Sequence, residues 1–136
     1  MAKRLEDILA EGNEYLNVKD YDKAEALFQD GIESYPNCAP MYNNLGMIKL
    51  LRKEVEVAIS LFEKAIKLDP KTLEAYQNLG SCYLSMQEID KAESMLLRAL
   101  QIEPNNFNTY HNLSTLYIQT EQPGKAKKSL EKLLQI

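Results

Sequence analysis

Three asparagines, Asn44, Asn78 and Asn112, stand 34 residues apart in a chain of 136. A carboxamide both donates and accepts, so each could pair with the N–H and C=O of one peptide unit. A row of three would grip an extended backbone whatever its side chains. The same asparagines could instead bond a neighbouring helix, and both readings stay open here. His111 is the only histidine. No acid or cysteine shares its expected face, so a general base or metal ligand there would lack partners, and it is read as a ligand contact. Cys38 and Cys82 have no C-x-x-C spacing; Cys82, among apolar residues, reads as a small core filler. No glycine-rich phosphate loop or paired-carboxylate site can be drawn. The expectation is a non-enzymatic chain with no catalytic residue, no metal and no cofactor.

The elements that must position these residues follow the same period. Pro36, Pro70 and Pro104 repeat every 34 residues, as do Gly12, Gly46 and Gly80 (with Ser114 in the next slot) and Ala24, Ala58, Ala92 and Ala126. In residues 73–106, Tyr76, Leu79, Gly80 and Tyr83 share one face of a first helix. Ile89, Ala92, Leu96, Ala99 and Leu100 mark the inner face of a second, which Pro104 ends. The pattern predicts helices near 4–18, 21–34, 39–52, 55–68, 73–86, 89–102, 107–120 and 123–135. In the last of these, Ala126, Leu130 and Leu133 form the expected inner face. Glycine inside a helix costs about 1 kcal/mol against alanine, so Gly80 needs a packing reason; Ala92 or Ala99 of the paired helix is expected to meet it.

These residues resemble the signature of the tetratricopeptide repeat family. Tyr42-x-x-Leu45-Gly46 and Tyr76-x-x-Leu79-Gly80-x-x-Tyr83 carry its first half, and Ala24-x-x-x-Phe28 and Ala58-x-x-x-Phe62 its second. Departures are few: Lys49 replaces the late tyrosine, Leu96 and Leu130 replace Phe, Ser114 replaces Gly, and Glu11 stands where Leu is usual. The resemblance implies an all-α fold, a right-handed superhelical solenoid of antiparallel helix pairs with about eight helices. It implies one array over 1–136, with repeats at 5–38, 39–72, 73–106 and 107–136. It further implies an adaptor whose first helices line a concave groove for a protein or extended peptide.

On that reading the groove carries Asn13, Asn44, Met47, Asn78, Ser81, His111, Asn112 and Thr115 as peptide-binding residues. Leu9, Leu16, Asn43, Leu50, Leu51, Gln77, Leu84, Ser85 and Ile118 lie beside them. The asparagine row resembles the ladder in the repeat arm of the glycosyltransferase that attaches N-acetylglucosamine to serine and threonine. The carboxylate clamp of chaperone-tail adaptors is a different specialisation. Its asparagine slots fall on Asn13 and Asn44, but its cationic slots fall on Leu9, Glu74 and Asn78. A terminal carboxylate buried there would go unpaired, so no clamp is expected.

Sixteen basic and twenty acidic residues give a net charge of −4, which argues against nucleic acid as the main partner. Residues 1–36 hold four basic and nine acidic groups, whereas 105–136 hold four and two. This reads either as unselected surface charge or as head-to-tail attraction between molecules. No stretch approaches a membrane span and no apolar leader is visible, so a cytoplasmic location without membrane partners is expected. No capping helix follows the eighth predicted helix in this sequence. The chain is therefore expected either to be excised from a longer protein or to cover that end with another molecule, including a second copy. Two alternatives to the adaptor stay open: a substrate-recruiting arm of a larger enzyme such as a glycosyltransferase, and a self-associating structural unit.

Overall fold

The computed structural model describes residues 3–136, which form eight α-helices and, among the described residues, no strand. They are α1 (Leu5–Asn17), α2 (Tyr21–Ser34), α3 (Ala39–Leu51), α4 (Val55–Leu68), α5 (Leu73–Ser85), α6 (Ile89–Ile102), α7 (Phe107–Gln119) and α8 (Pro123–Gln135). Each falls within a residue or so of its predicted span, because the period supplies both the stop and the restart. Asp20 caps α2 by accepting from the Lys23 amide, and Asn106 caps α7 by accepting from the Thr109 amide. Pro40 and Pro123 occupy the first turns of α3 and α8, where no amide donor is needed.

The helices group into two compact units, Met1–Thr72 and Leu73–Ile136, each containing two antiparallel pairs. In the first unit, Ala24 and Phe28 of α2 pack against Met41, Leu45 and Ile48 of α3. In the second, Ala92 and Leu96 of α6 pack against Leu113 and Leu116 of α7. The pairing helices approach closely at the glycine slots. A Cβ on Gly46 would stand 2.7 Å from the Phe62 ring, and one on Gly80 would stand 2.8 Å from Leu96. The residue that meets Gly80 is thus Leu96, since the Ala92 carbonyl lies 3.6 Å away. The large side chain four positions after each alanine requires the glycine, which corrects the expectation of an alanine contact.

The prolines do more than end helices. Tyr42 donates its hydroxyl to the Pro36 carbonyl at 2.8 Å, and Tyr110 donates to that of Pro104 at 3.0 Å. Each tyrosine therefore ties the start of one first helix to the end of the preceding second helix. The turns inside each pair have a period of their own. Lys19, Lys53, Gln87 and Glu121 all adopt positive φ, between 56° and 64°. A three-residue reversal between antiparallel helices needs that left-handed residue.

Candidate functional site

The expected contact residues lie on the first helices of both units, and each unit is taken in turn. In the first, Asn13 of α1 is exposed, Met47 of α3 is 37% exposed and Asn44 is half-buried. Among the described residues of its unit, the Asn44 carboxamide has no hydrogen-bond partner. Three neighbours depart from expectation. Asn43 is buried, its amide 3.9 Å from the Met47 sulfur. Leu9 and Leu16 pack against the core around Ile8 and Phe28. An α3 that is apolar on most sides leaves no free face for Asn43, and α1 turns its leucines inward.

In the second unit a recess of about 470 Å³ opens between α5 and α7. Ser81, His111, Asn112 and Thr115 all line it, with Leu84 and Gln119. No Lys, Arg, Asp or Glu side chain lines it. Two of its hydroxyls face their own helices: Thr115 donates to the His111 carbonyl at 3.1 Å and Ser85 to the Cys82 carbonyl at 2.8 Å. The Asn112 carboxamide and the Ser81 hydroxyl, in contrast, make no hydrogen bond among the described residues, and the His111 ring is exposed. The His111 ring lies nearly parallel to that of Phe107, 3° between planes at 6.5 Å. Phe107 is 54% exposed and extends the α7 surface by one turn. Sequence reading passed over it, although an aromatic at the first position of a first helix, where the other units carry Leu5, Ala39 and Leu73, was a visible signal.

The asparagines of the row do not share one environment. Asn78 is half-buried and already engages a partner. Its neighbour Gln77 donates to Asn106 at 2.7 Å and to Thr109 at 2.9 Å, fastening α5 to the start of α7. Gln77 is thus structural, a correction to its place beside the groove.

Titratable groups elsewhere are held for packing. Burial pushes the Cys82 thiol up to about 11, so it stays protonated and unreactive at neutral pH. Burial, then the hydrogen bond to Glu93, raises the Tyr117 hydroxyl. Lys49 donates to Glu25 at 2.5 Å, and that bond raises its ammonium above the ordinary 10.5. Among the described residues no three His, Cys, Asp or Glu side chains gather as a metal site, and no helix is long and apolar enough to cross a membrane.

Paired antiparallel helices on a 34-residue period, with a neutral recess between first helices, define a helical-repeat solenoid of the protein-interaction class. Tetratricopeptide repeat profiles match residues 9–72, 49–113 and 107–136, and the chain belongs to that family. Among solved structures, a crystal structure of MamA is 26% identical with a TM-score of 0.85, over 96% of this chain and 76% of that one. Pseudomonas aeruginosa pilF is 23% identical at 0.88, over 96% of this chain and 60% of its own. The first such repeat domain of Spaghetti (RPAP3), bound to the HSP90 peptide SRMEEVD, is 24% identical at 0.78, over 84% and 90%. No curated protein matches the chain significantly. Repeats of this family are generally interaction modules without catalysis.

Proposed function

We propose that this chain is a non-enzymatic adaptor that seats an extended, uncharged protein segment against its first helices. The observation that carries the reading is the recess between α5 and α7. There Asn112 offers a carboxamide without a partner of its own, beside Ser81 and His111 and with no charged side chain. A peptide backbone entering it finds a donor and an acceptor together, and side-chain charge gains nothing. Asn44 presents the same group at the same repeat position in the first unit. The RPAP3 repeats hold a peptide with two glutamates and an aspartate. Here the slots that the chaperone-tail clamp fills with cations carry Leu9, Glu74 and Asn78, so an acidic tail is disfavoured and a neutral segment is the better fit.

A display library of random twelve-residue peptides tests this. Selection should enrich segments poor in charge, and the N44A/N112A variant should lose them by about thirtyfold in affinity while its helicity is unchanged, since each of the two lost hydrogen bonds contributes about 1 kcal/mol. Enrichment of strongly acidic peptides, or full retention by the double variant, would refute the reading.

A further inference from the structure

A recess of about 410 Å³ in the second unit is walled by three of its helices, α6, α7 and α8. Leu97 and Leu100 of α6, with Tyr110, Leu113 and Tyr117 of α7, form its apolar side. Both tyrosine hydroxyls are engaged elsewhere, Tyr110 donating to the Pro104 carbonyl and Tyr117 to Glu93. The neutral recess between α5 and α7 shares none of these residues.

Ser129 of α8 accounts for the space. Its repeat slot holds Leu27, Leu61 and Met95 in the preceding second helices. In the first unit Leu27 and Leu61 pack against the core that contains Leu45, the counterpart of Leu113. A serine there removes most of the side chain that fills the slot. Ser129 is 7% exposed, whereas Leu130, expected on the inner face of α8, is 43% exposed, a correction to that expectation. The Ser129 hydroxyl bonds no other described residue. No fully buried side-chain oxygen among the described residues lacks a partner, so this hydroxyl opens onto the recess. A polar group held in an apolar wall is costly to leave unbonded.

The rim selects by charge. Lys125, Lys128 and Lys132 line the recess with one acid, Glu131. Lys125 already pairs with Glu93 at 3.7 Å, while Lys128 and Lys132 make no ion pair among the described residues. Three lysines against Glu131 and Glu93 leave a single net positive charge. One carboxylate neutralises it; a polyanion would meet the two glutamates as well. Positions 129 and 132 lie three apart on α8, so the serine hydroxyl and the Lys132 ammonium share one face.

We propose that this recess binds a small amphipathic monocarboxylate. Its aliphatic chain lies against Leu97, Leu100 and Leu113, and its carboxylate accepts from Ser129 and faces Lys128 and Lys132.

Decanoate titrated into the chain and followed by amide chemical shifts tests this. The shifts should saturate and centre on α6, α7 and α8. Each buried methylene should tighten binding about three- to fourfold, so octanoate should bind roughly tenfold more weakly. K128Q/K132Q should weaken decanoate by about fivefold and leave decanol unchanged. S129L, which restores the side chain of the first unit, should abolish binding with circular dichroism unchanged. S129A, which removes only the hydroxyl, should weaken decanoate about fivefold whether or not S129L folds. No saturable shift, equal affinity for decanoate and decanol, or binding indifferent to K128Q/K132Q and S129A would overturn the proposal. Tighter binding of the acetylated peptide LLEDL to the same residues would also overturn it, assigning the face to a protein segment.

Discussion

At the scale of single residues, the contacts that distinguish this chain from a generic repeat are polar pairs joining one helix pair to the next. Lys49 and Glu25 have side chains only 17% and 15% exposed, and Arg52 adds a bond to Glu25 at 3.3 Å. The raised Lys49 ammonium fixes the sign of a pH effect. A folded-state value above the unfolded one gives stability that is complete below about pH 10 and is lost as pH climbs through the folded value. Tyr117, raised chiefly by burial and then by Glu93, changes in the same direction. Urea midpoints should therefore stay level from pH 7 to 9 and fall above pH 10. K49M should remove about 1 kcal/mol of that alkaline loss; an identical alkaline slope in K49M would contradict it. These pairs were legible in principle, because Glu25 and Glu93 occupy one repeat slot and Lys49 and Tyr117 another. Treating Lys49 only as a lost tyrosine hid the pairing.

At the scale of elements, helix limits were legible because proline, glycine and alanine recur in fixed slots, while the turns were not. Lys19, Lys53, Gln87 and Glu121 carry positive φ without being glycine or asparagine, so composition gave no sign of the strain. All four are exposed, and no side-chain contact compensates Lys53 or Gln87 in the structure. K53G should raise stability by roughly 0.5–1 kcal/mol, since a left-handed conformation costs an L-residue about 1–2 kcal/mol and glycine gives back part as chain entropy. A lower melting midpoint in K53G would count against this account. Two helix glycines should behave in opposite ways. G46A meets the Phe62 ring, whereas G124A in the first turn of α8 meets nothing within 4 Å. The first should cost about 1–3 kcal/mol by overpacking and the second should gain up to about 1 kcal/mol. Equal effects in denaturant titrations would show that close approach is not why Gly46 is there.

At the scale of the whole molecule, the 34-residue period conceals a division that sequence alone reads as one array. Each of the two units has its own core, one around Phe28 and Met41, the other around Leu96 and Leu116. The repeat signature is local and is the same on both sides of Thr72, so it carries no mark of the division. In a repeat protein stability is nearly a sum of unit and nearest-neighbour contributions, so damage to one core should stay in its unit. Leu116 is fully buried, and L116A should remove about 3 kcal/mol from the second unit. In native-state hydrogen exchange, amides of α7 and α8 should then exchange faster by about two orders of magnitude. Those of α2 and α3 should keep their protection. The fragment 73–136, which contains a complete core and two helix pairs, should unfold cooperatively by itself and lose the same increment on L116A. If protection falls equally in α2 and α7, the two units unfold as one block. Their separate cores would then describe packing without dividing the stability of the chain.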